Sequence, residues 1–160
     1  VHFDDRGIVK VIYRKIHPFS FAKEDKFYSA GGEIITTNIK DFTFGLTICY
    51  DLRFPELYRK YGKEKVDVLV NIANWPKARI AHWDLLLKAR AIENQCYMLG
   101  VNRVGEDPYL QYPGHSSVIN PMGETVLEMH LEGIEIVELE KDNVTNLREK
   151  LPFLNDIKLI

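Results

Sequence analysis

The chain has 160 residues, 46% hydrophobic and 28% charged, with 21 Lys and Arg against 23 Asp and Glu for a formal charge of -2. That length makes one domain burying roughly two-thirds of its extended surface, and the balanced charge, without a basic stripe or Arg-rich tail, argues against nucleic acid as a partner. No run approaches the roughly 18 consecutive apolar residues that span a bilayer, no export-signal pattern opens the chain, and two cysteines, Cys49 and Cys96, do not make a disulfide-rich scaffold, so a reducing cytoplasm is the expected setting although spacing leaves one bridge open.

Val1 to Phe3 reads as the end of a strand entering the turn Asp4-Asp5-Arg6-Gly7, with a second strand over Ile8 to Tyr13. Its hairpin partner would lie mostly upstream of Val1, and sheets seldom leave such an edge unprotected, so the chain is expected to be a piece of a longer one. Phe42 to Ile48, FTFGLTI, is a strand by its β-branched and aromatic content. It leads into Cys49 and YDLRFPEL, where Pro55 and Glu56 suit the first turn of a short helix that LYRKYG closes at Gly62. Val66 to Ile72 reads as a central strand covered on both faces. Ile80, Trp83, Leu86, Leu87, Ala91 and Ile92 recur at helical spacing and predict a long helix over Ala78 to Gln95. Cys96 to Val101 is the next buried strand, and SSVINPMGETVLEM holds two strands joined by an Asn-Pro-Met-Gly turn. Ile134 to Leu139 predicts a further strand, Asn143 to Lys150 a short helix, and Leu151 onward a tail.

Alternating strands and helices followed by strands without helices predict an α/β fold with mixed sheets. GxGxxG and GxxxxGK[ST] are absent, which removes the usual warrant for a nucleotide. The five histidines, at 2, 17, 82, 115 and 130, form no HExxH and have no CxxC companion, so neither a metal nor a cofactor is expected.

Cys96, between a helix and an apolar strand, needs no explanation beyond a small buried hydrophobe. Cys49 follows a buried strand and precedes a polar turn, a rigid support for a nucleophile, although a strand-end core cysteine is the alternative. Lys15, after a strand, and Glu24, in the following loop, would each alone be a solvated charge. Brought beside Cys49, the lysine could favour thiolate and stabilise an oxyanion, and the glutamate could orient it or carry protons. Asp51 reads as a turn or helix-start acceptor or as site support, and Arg53 as a brace for a glutamate or a reader of a substrate carboxylate. His17, His82 and His115 stand in separate contexts that favour hydrogen bonding over a Cys-His pair. Arg90, Glu93 and Asn94 share a helix face and could form a surface network or a subunit seam.

YRKIHPF, LTICYDLRFPELYR and NIANWPKARIAHWDLLLKARAIENQCYMLGVNRVG resemble the catalytic-lysine, nucleophilic-cysteine and following segments of the carbon-nitrogen hydrolase family, the nitrilase superfamily. The resemblance runs from about Ile8 to about Leu151, and is strongest to the omega-amidases that hydrolyse the terminal amide of 2-oxo acids. It implies Cys49 as nucleophile, Lys15 at the oxyanion and Glu24 as the supporting glutamate. The backbone N–H of Tyr50 would be an oxyanion donor, Asn74, Trp75 and Pro76 would line the approach, and the substrate would be a small amide. The family's principal base, a glutamate well before the lysine, has no counterpart in these 160 residues, so roughly the first third of a family domain is expected to be missing, whether cleaved, disordered or a separate chain. Residues 1–160 would then be the C-terminal portion of one domain, with 151–160 as its tail and negligible activity alone. The resemblance further implies an incomplete α-β-β-α four-layer sandwich and a homodimer through helices 55–61 and 78–95. Two other classes stay open: a noncatalytic amide-binding scaffold and a thioester-dependent acyltransferase with an amine acceptor.

Overall fold

The computed structural model describes residues 1–159. A short hairpin, β1 (His2–Phe3) and β2 (Val9–Val11), opens the chain, with Phe3 opposite Val9. The second strand is thus shorter than the Ile8 to Tyr13 of the sequence reading, and its partner at this end is His2–Phe3. β3 (Thr36–Ile39), which hydrophobic patterning missed, forms an antiparallel hairpin with β4 (Phe42–Ile48). Helix α1 (Pro55–Lys63) carries the chain from β4 to the parallel strand β5 (Val68–Ala73), and α2 (Ile80–Asn94) carries it on to β6 (Tyr97–Asn102), again parallel. A hairpin of β7 (Val104–Glu106) and β8 (Gln111–Pro113) leaves the sheet. β9 (Ser116–Ile119) then returns antiparallel to β6 and pairs with β10 (Thr125–Met129), and α3 (Lys141–Lys150) follows. The central sheet has six strands in the order β10-β9-β6-β5-β4-β3, the mixed α/β arrangement that the element order predicts.

Successive side chains of a strand point to opposite faces. Leu69 and Met98 therefore enter a core with Leu57, Tyr58 and Tyr61 of α1 and Trp83, Leu87 and Ala91 of α2. Val68 and Tyr97 enter a smaller one with Val118 and Val144 of α3. The helical stripe read from the sequence is this seam, except that Ile92 is exposed. Gly62 does not end α1: it lies inside the helix, where a Cβ would come 2.5 Å from Asn94 Oδ1, so glycine lets α1 and α2 close on each other. A 3-10 turn at Lys77–Arg79 delays α2 to Ile80.

One strand expectation fails. Ile134 to Leu139 pairs with nothing in the sheet; Val137 and Leu139 rest on the smaller core while Ile134 and Ile136 face solvent. Alternation supplies a strand-like side-chain pattern, but a strand exists only where its N–H and C=O groups find a neighbouring ladder.

Candidate active site

Because β4, β5 and β6 are parallel, their carboxyl ends lie at one edge of the sheet, where ligands of open α/β sheets bind. Cys49 is the residue after β4. Its backbone takes the left-handed conformation (φ 47°) and begins a 3-10 turn, Cys49–Arg53. For a non-glycine residue this conformation costs about 1 to 2 kcal/mol, so something must hold it. Asp51 does. Its buried carboxylate accepts from the Ile48 N–H (3.0 Å), the Tyr13 hydroxyl (2.8 Å) and the His17 N–H (2.9 Å), and lies 2.9 Å from His17 Nδ1. One carboxylate thereby ties the cysteine turn to the 13–17 segment that carries Lys15. Burial first, and the Asp51 charge second, push the Tyr13 phenol well above its ordinary range, so it stays a donor.

Lys15, Glu24, Cys49 and Asn74 line one open cavity of about 560 Å³, together with Phe19, Ile72, Val101, Asn102 and Arg103. Lys15 Nζ donates to Glu24 Oε2 at 2.6 Å, and the Phe19 N–H donates to the same oxygen at 2.6 Å. Burial pushes the Glu24 carboxyl up, but these two bonds and the Lys15 charge outweigh it and hold the group below its usual range. At Cys49 the balance runs the other way: burial raises the thiol, Glu24 adds to that, and Lys15 with the backbone N–H groups of Asn74 and Tyr50 opposes it without prevailing. The thiol is therefore protonated at neutral pH and requires a proton acceptor to become a nucleophile. Glu24 is the one carboxylate lining this cavity among the described residues, and its Oε2 is already engaged.

A narrower chamber of about 50 Å³ adjoins the thiol, lined by Phe19, Cys49, Tyr50, Arg53, Asn74, Trp75, Pro76 and Arg79. The Arg53 guanidinium lies 4.8 Å over the Trp75 ring and 3.2 Å from His82 Nδ1. The Tyr50 ring packs against Phe19 and Phe54. Asn74, Trp75 and Pro76 line this chamber together with Cys49. Asp51 lines neither space.

Sequence reading missed Asn102 and Arg79. Buried Asn102 accepts the Trp75 N–H at 2.6 Å and donates to the carbonyls of Trp75 (3.0 Å) and Gly114 (2.7 Å), fixing the loop that carries Asn74. It ends β6 as the in-register neighbour of Ala73; a buried asparagine closing a strand was the available signal. His17, His82 and His115 bond to Asp51, Arg53 and Asp84, and none lines the thiol cavity. Arg90, Glu93 and Asn94 do form a network, but Arg90 and Asn94 are buried, with Arg90 donating through Nε and Nη2 to the Leu52 carbonyl at 3.1 and 2.7 Å. Cys96 is fully buried and its thiol is pushed up to about 12 by burial, with Arg148 opposing. Both cysteines are free.

These features define an α/β protein with a half-buried thiol, on a residue of left-handed backbone, at the carboxyl edge of a mixed sheet, and a lysine-glutamate pair lining the same cavity. Residues 1–149 match the Carbon-nitrogen hydrolase family, and the chain belongs to it. It is 38% identical over 156 residues to the 2-oxoglutaramate amidase of Bacillus subtilis (strain 168), covering 97% of this chain and 60% of that protein. It is 40% identical over 147 residues to the omega-amidase YafV of Escherichia coli (strain K12), covering 90% of this chain and 57% of that one. Among solved structures it resembles a CN-hydrolase superfamily protein of Xanthomonas campestris, with a TM-score of 0.85 at 34% identity, covering 91% of this chain and 58% of that chain. The chain thus spans somewhat under two-thirds of the length of these relatives. No helix among the described residues is long and apolar enough to cross a membrane.

Proposed function

We propose that this chain supplies the thiol, the oxyanion cation and a supporting carboxylate of an amidase acting on the terminal amide of a 2-oxo dicarboxylic acid monoamide. The observation that carries this reading is the shared cavity of Cys49 with the Lys15–Glu24 pair at 2.6 Å. A base takes the thiol proton, and the sulfur attacks the amide carbonyl to give a tetrahedral oxyanion facing Lys15 and the Tyr50 N–H. Collapse expels ammonia, protonated as it leaves, and the remaining thioester is hydrolysed by water activated by the same base. The raised Cys49 thiol and the engaged Glu24 support a base supplied from outside these residues, so the 160 residues by themselves should turn over amide negligibly.

The exposed carboxyl ends of the sheet, where Ile72 and Val101 are 52% and 53% accessible, support a four-layer sandwich in which another layer covers this face. Arg53 and Arg79, both lining the chamber beside the sulfur, support a substrate whose far end is a carboxylate. Exposed Leu85 and Ile92 on α2 support a dimer through the outer helices, and the two free thiols support a reducing cytoplasm.

The test is intact-protein mass spectrometry of the complete enzyme quenched during turnover of 2-oxoglutaramate. A mass increase equal to the acyl group, mapped to Cys49, is expected together with ammonia release; turnover with no adduct at Cys49 under any quench, and undiminished in the Cys49→Ala variant, would overturn the assignment. Added amines should leave the product a free acid; an amide product would favour the acyltransferase instead.

A further inference from the structure

The chain carries no HExxH or CxxC spacing, yet the register of one hairpin brings candidate ligands together. β10 pairs with β9 so that Glu128 opposes Ser117 and Met129 opposes Ser116. Glu128 and His130, two apart, lie on one face of the strand line, and the hairpin brings His115, the residue before β9, back beside His130. Gly114 permits the approach: its φ is +75°, and a Cβ there would come 3.0 Å from the His130 carbonyl oxygen. The two imidazole rings are 4.4 Å apart and nearly perpendicular, at 88°.

We propose that His115, Glu128 and His130 bind a divalent transition-metal ion of the Zn²⁺ class. One ligand atom from each of the three lies within 4.8 Å of the others. His115 Nδ1 is 3.6 Å from Glu128 Oε1, and His130 Nε2 is 3.9 Å from Glu128 Oε2. Bonds of about 2.0 to 2.1 Å in a tetrahedral site put donors roughly 3.3 Å apart, so small rotations of the two exposed side chains, Glu128 and His130, close the set. Two imidazoles and a carboxylate select Zn²⁺, Cu²⁺ or Ni²⁺ over Ca²⁺ and Mg²⁺. Three protein ligands leave a fourth position open, and Asp84 Oδ1 lies 3.2 Å from His115 Nδ1. Asp84 holds that nitrogen in the metal-free protein and must yield it when the ion enters.

The site is tied to two parts of the fold. The His115 carbonyl accepts Trp83 Nε1 of α2 at 2.8 Å, and the preceding Gly114 carbonyl accepts from Asn102, which lines the thiol cavity. A bound ion would clamp the end of the β9–β10 hairpin beside that asparagine.

Calorimetric titration of the intact protein with Zn²⁺ tests this, in a Cys49→Ala background so that the active-site thiol cannot compete. Saturable binding of one ion is expected, with His82→Ala binding as tightly. His130→Ala and Glu128→Ala, both at exposed positions that folding tolerates, should each weaken binding by more than the roughly 10- to 100-fold that loss of an outer-shell partner costs. Zn²⁺ should raise the thermal midpoint of the parent but not of either variant. No saturable heat, or heat that persists unchanged in both variants, would overturn the proposal.

Discussion

The two ends of the same parallel strands are built in opposite ways. At the amino ends, Asp67 accepts from the Thr43 N–H at 2.8 Å and from Lys141 Nζ at 2.9 Å. Arg148 spans the edge, donating to the carbonyls of Lys65 (3.0 Å), Val66 (2.6 Å) and Gln95 (3.0 Å). Cys96, next to this edge, is sealed. At the carboxyl ends Ile72 and Val101 are exposed, and Cys49 sits in a left-handed conformation whose turn is bonded by Asp51. Two cysteines of identical chemistry are thus a sealed core atom and a cavity-lining atom, and the difference is which end of the sheet they occupy.

The comparison breaks first at Cys49. Cys49→Ala in the complete enzyme should abolish amide turnover while leaving the thermal midpoint nearly unchanged; turnover within tenfold of the parent would put the chemistry elsewhere. Lys15→Met comes next, with a fall in the chemical rate of roughly 10²- to 10³-fold, as for loss of one oxyanion donor, read by single-turnover kinetics. At the opposite end, Arg148→Met leaves several carbonyls unpaired and should cost about 2 to 3 kcal/mol of stability, measured by denaturant unfolding, with kcat untouched. Cys96→Ala is the mildest, removing one buried atom for about 1 kcal/mol.

Cys96 also sharpens the contrast through pH. Its folded thiol is raised from the ordinary value of 9.0 to about 12, so the native state holds a proton that the unfolded chain gives up earlier. Its contribution to stability is complete below pH 9 and is lost as pH rises towards 12. Cys96→Ala should therefore lose less stability than the parent across that window in urea melts. An identical slope for both proteins would place its titration outside the unfolding equilibrium.

Much of the lining of the candidate site was legible in the sequence because local chemistry and family resemblance marked the same residues: a thiol at a strand-to-helix junction, a lysine and a glutamate in the segment before it, and Asn-Trp-Pro after the next strand. Three things were not legible. Asp51 reads as an ordinary turn acceptor, and its bonds to Tyr13 and His17, 38 and 34 residues away, arise only when the segments meet. Asn102 carries no motif, yet it is the clamp behind Trp75. Ile134 to Leu139 carries a strand pattern and is not a strand, because pairing is a property of the neighbour as much as of the segment.

The sequence by itself determined the alternation of strand and helix from β4 to β6, the helical seam against the sheet, the burial of Cys96 and the family, since each rests on local periodicity or on motifs within short windows. Only the tertiary structure decided which strand ends are open, that burial outweighs Lys15 at the Cys49 thiol, and that two histidines and a glutamate converge at one hairpin. Desolvation and cross-strand proximity depend on what surrounds a group in space, and neither is encoded in its neighbours along the chain.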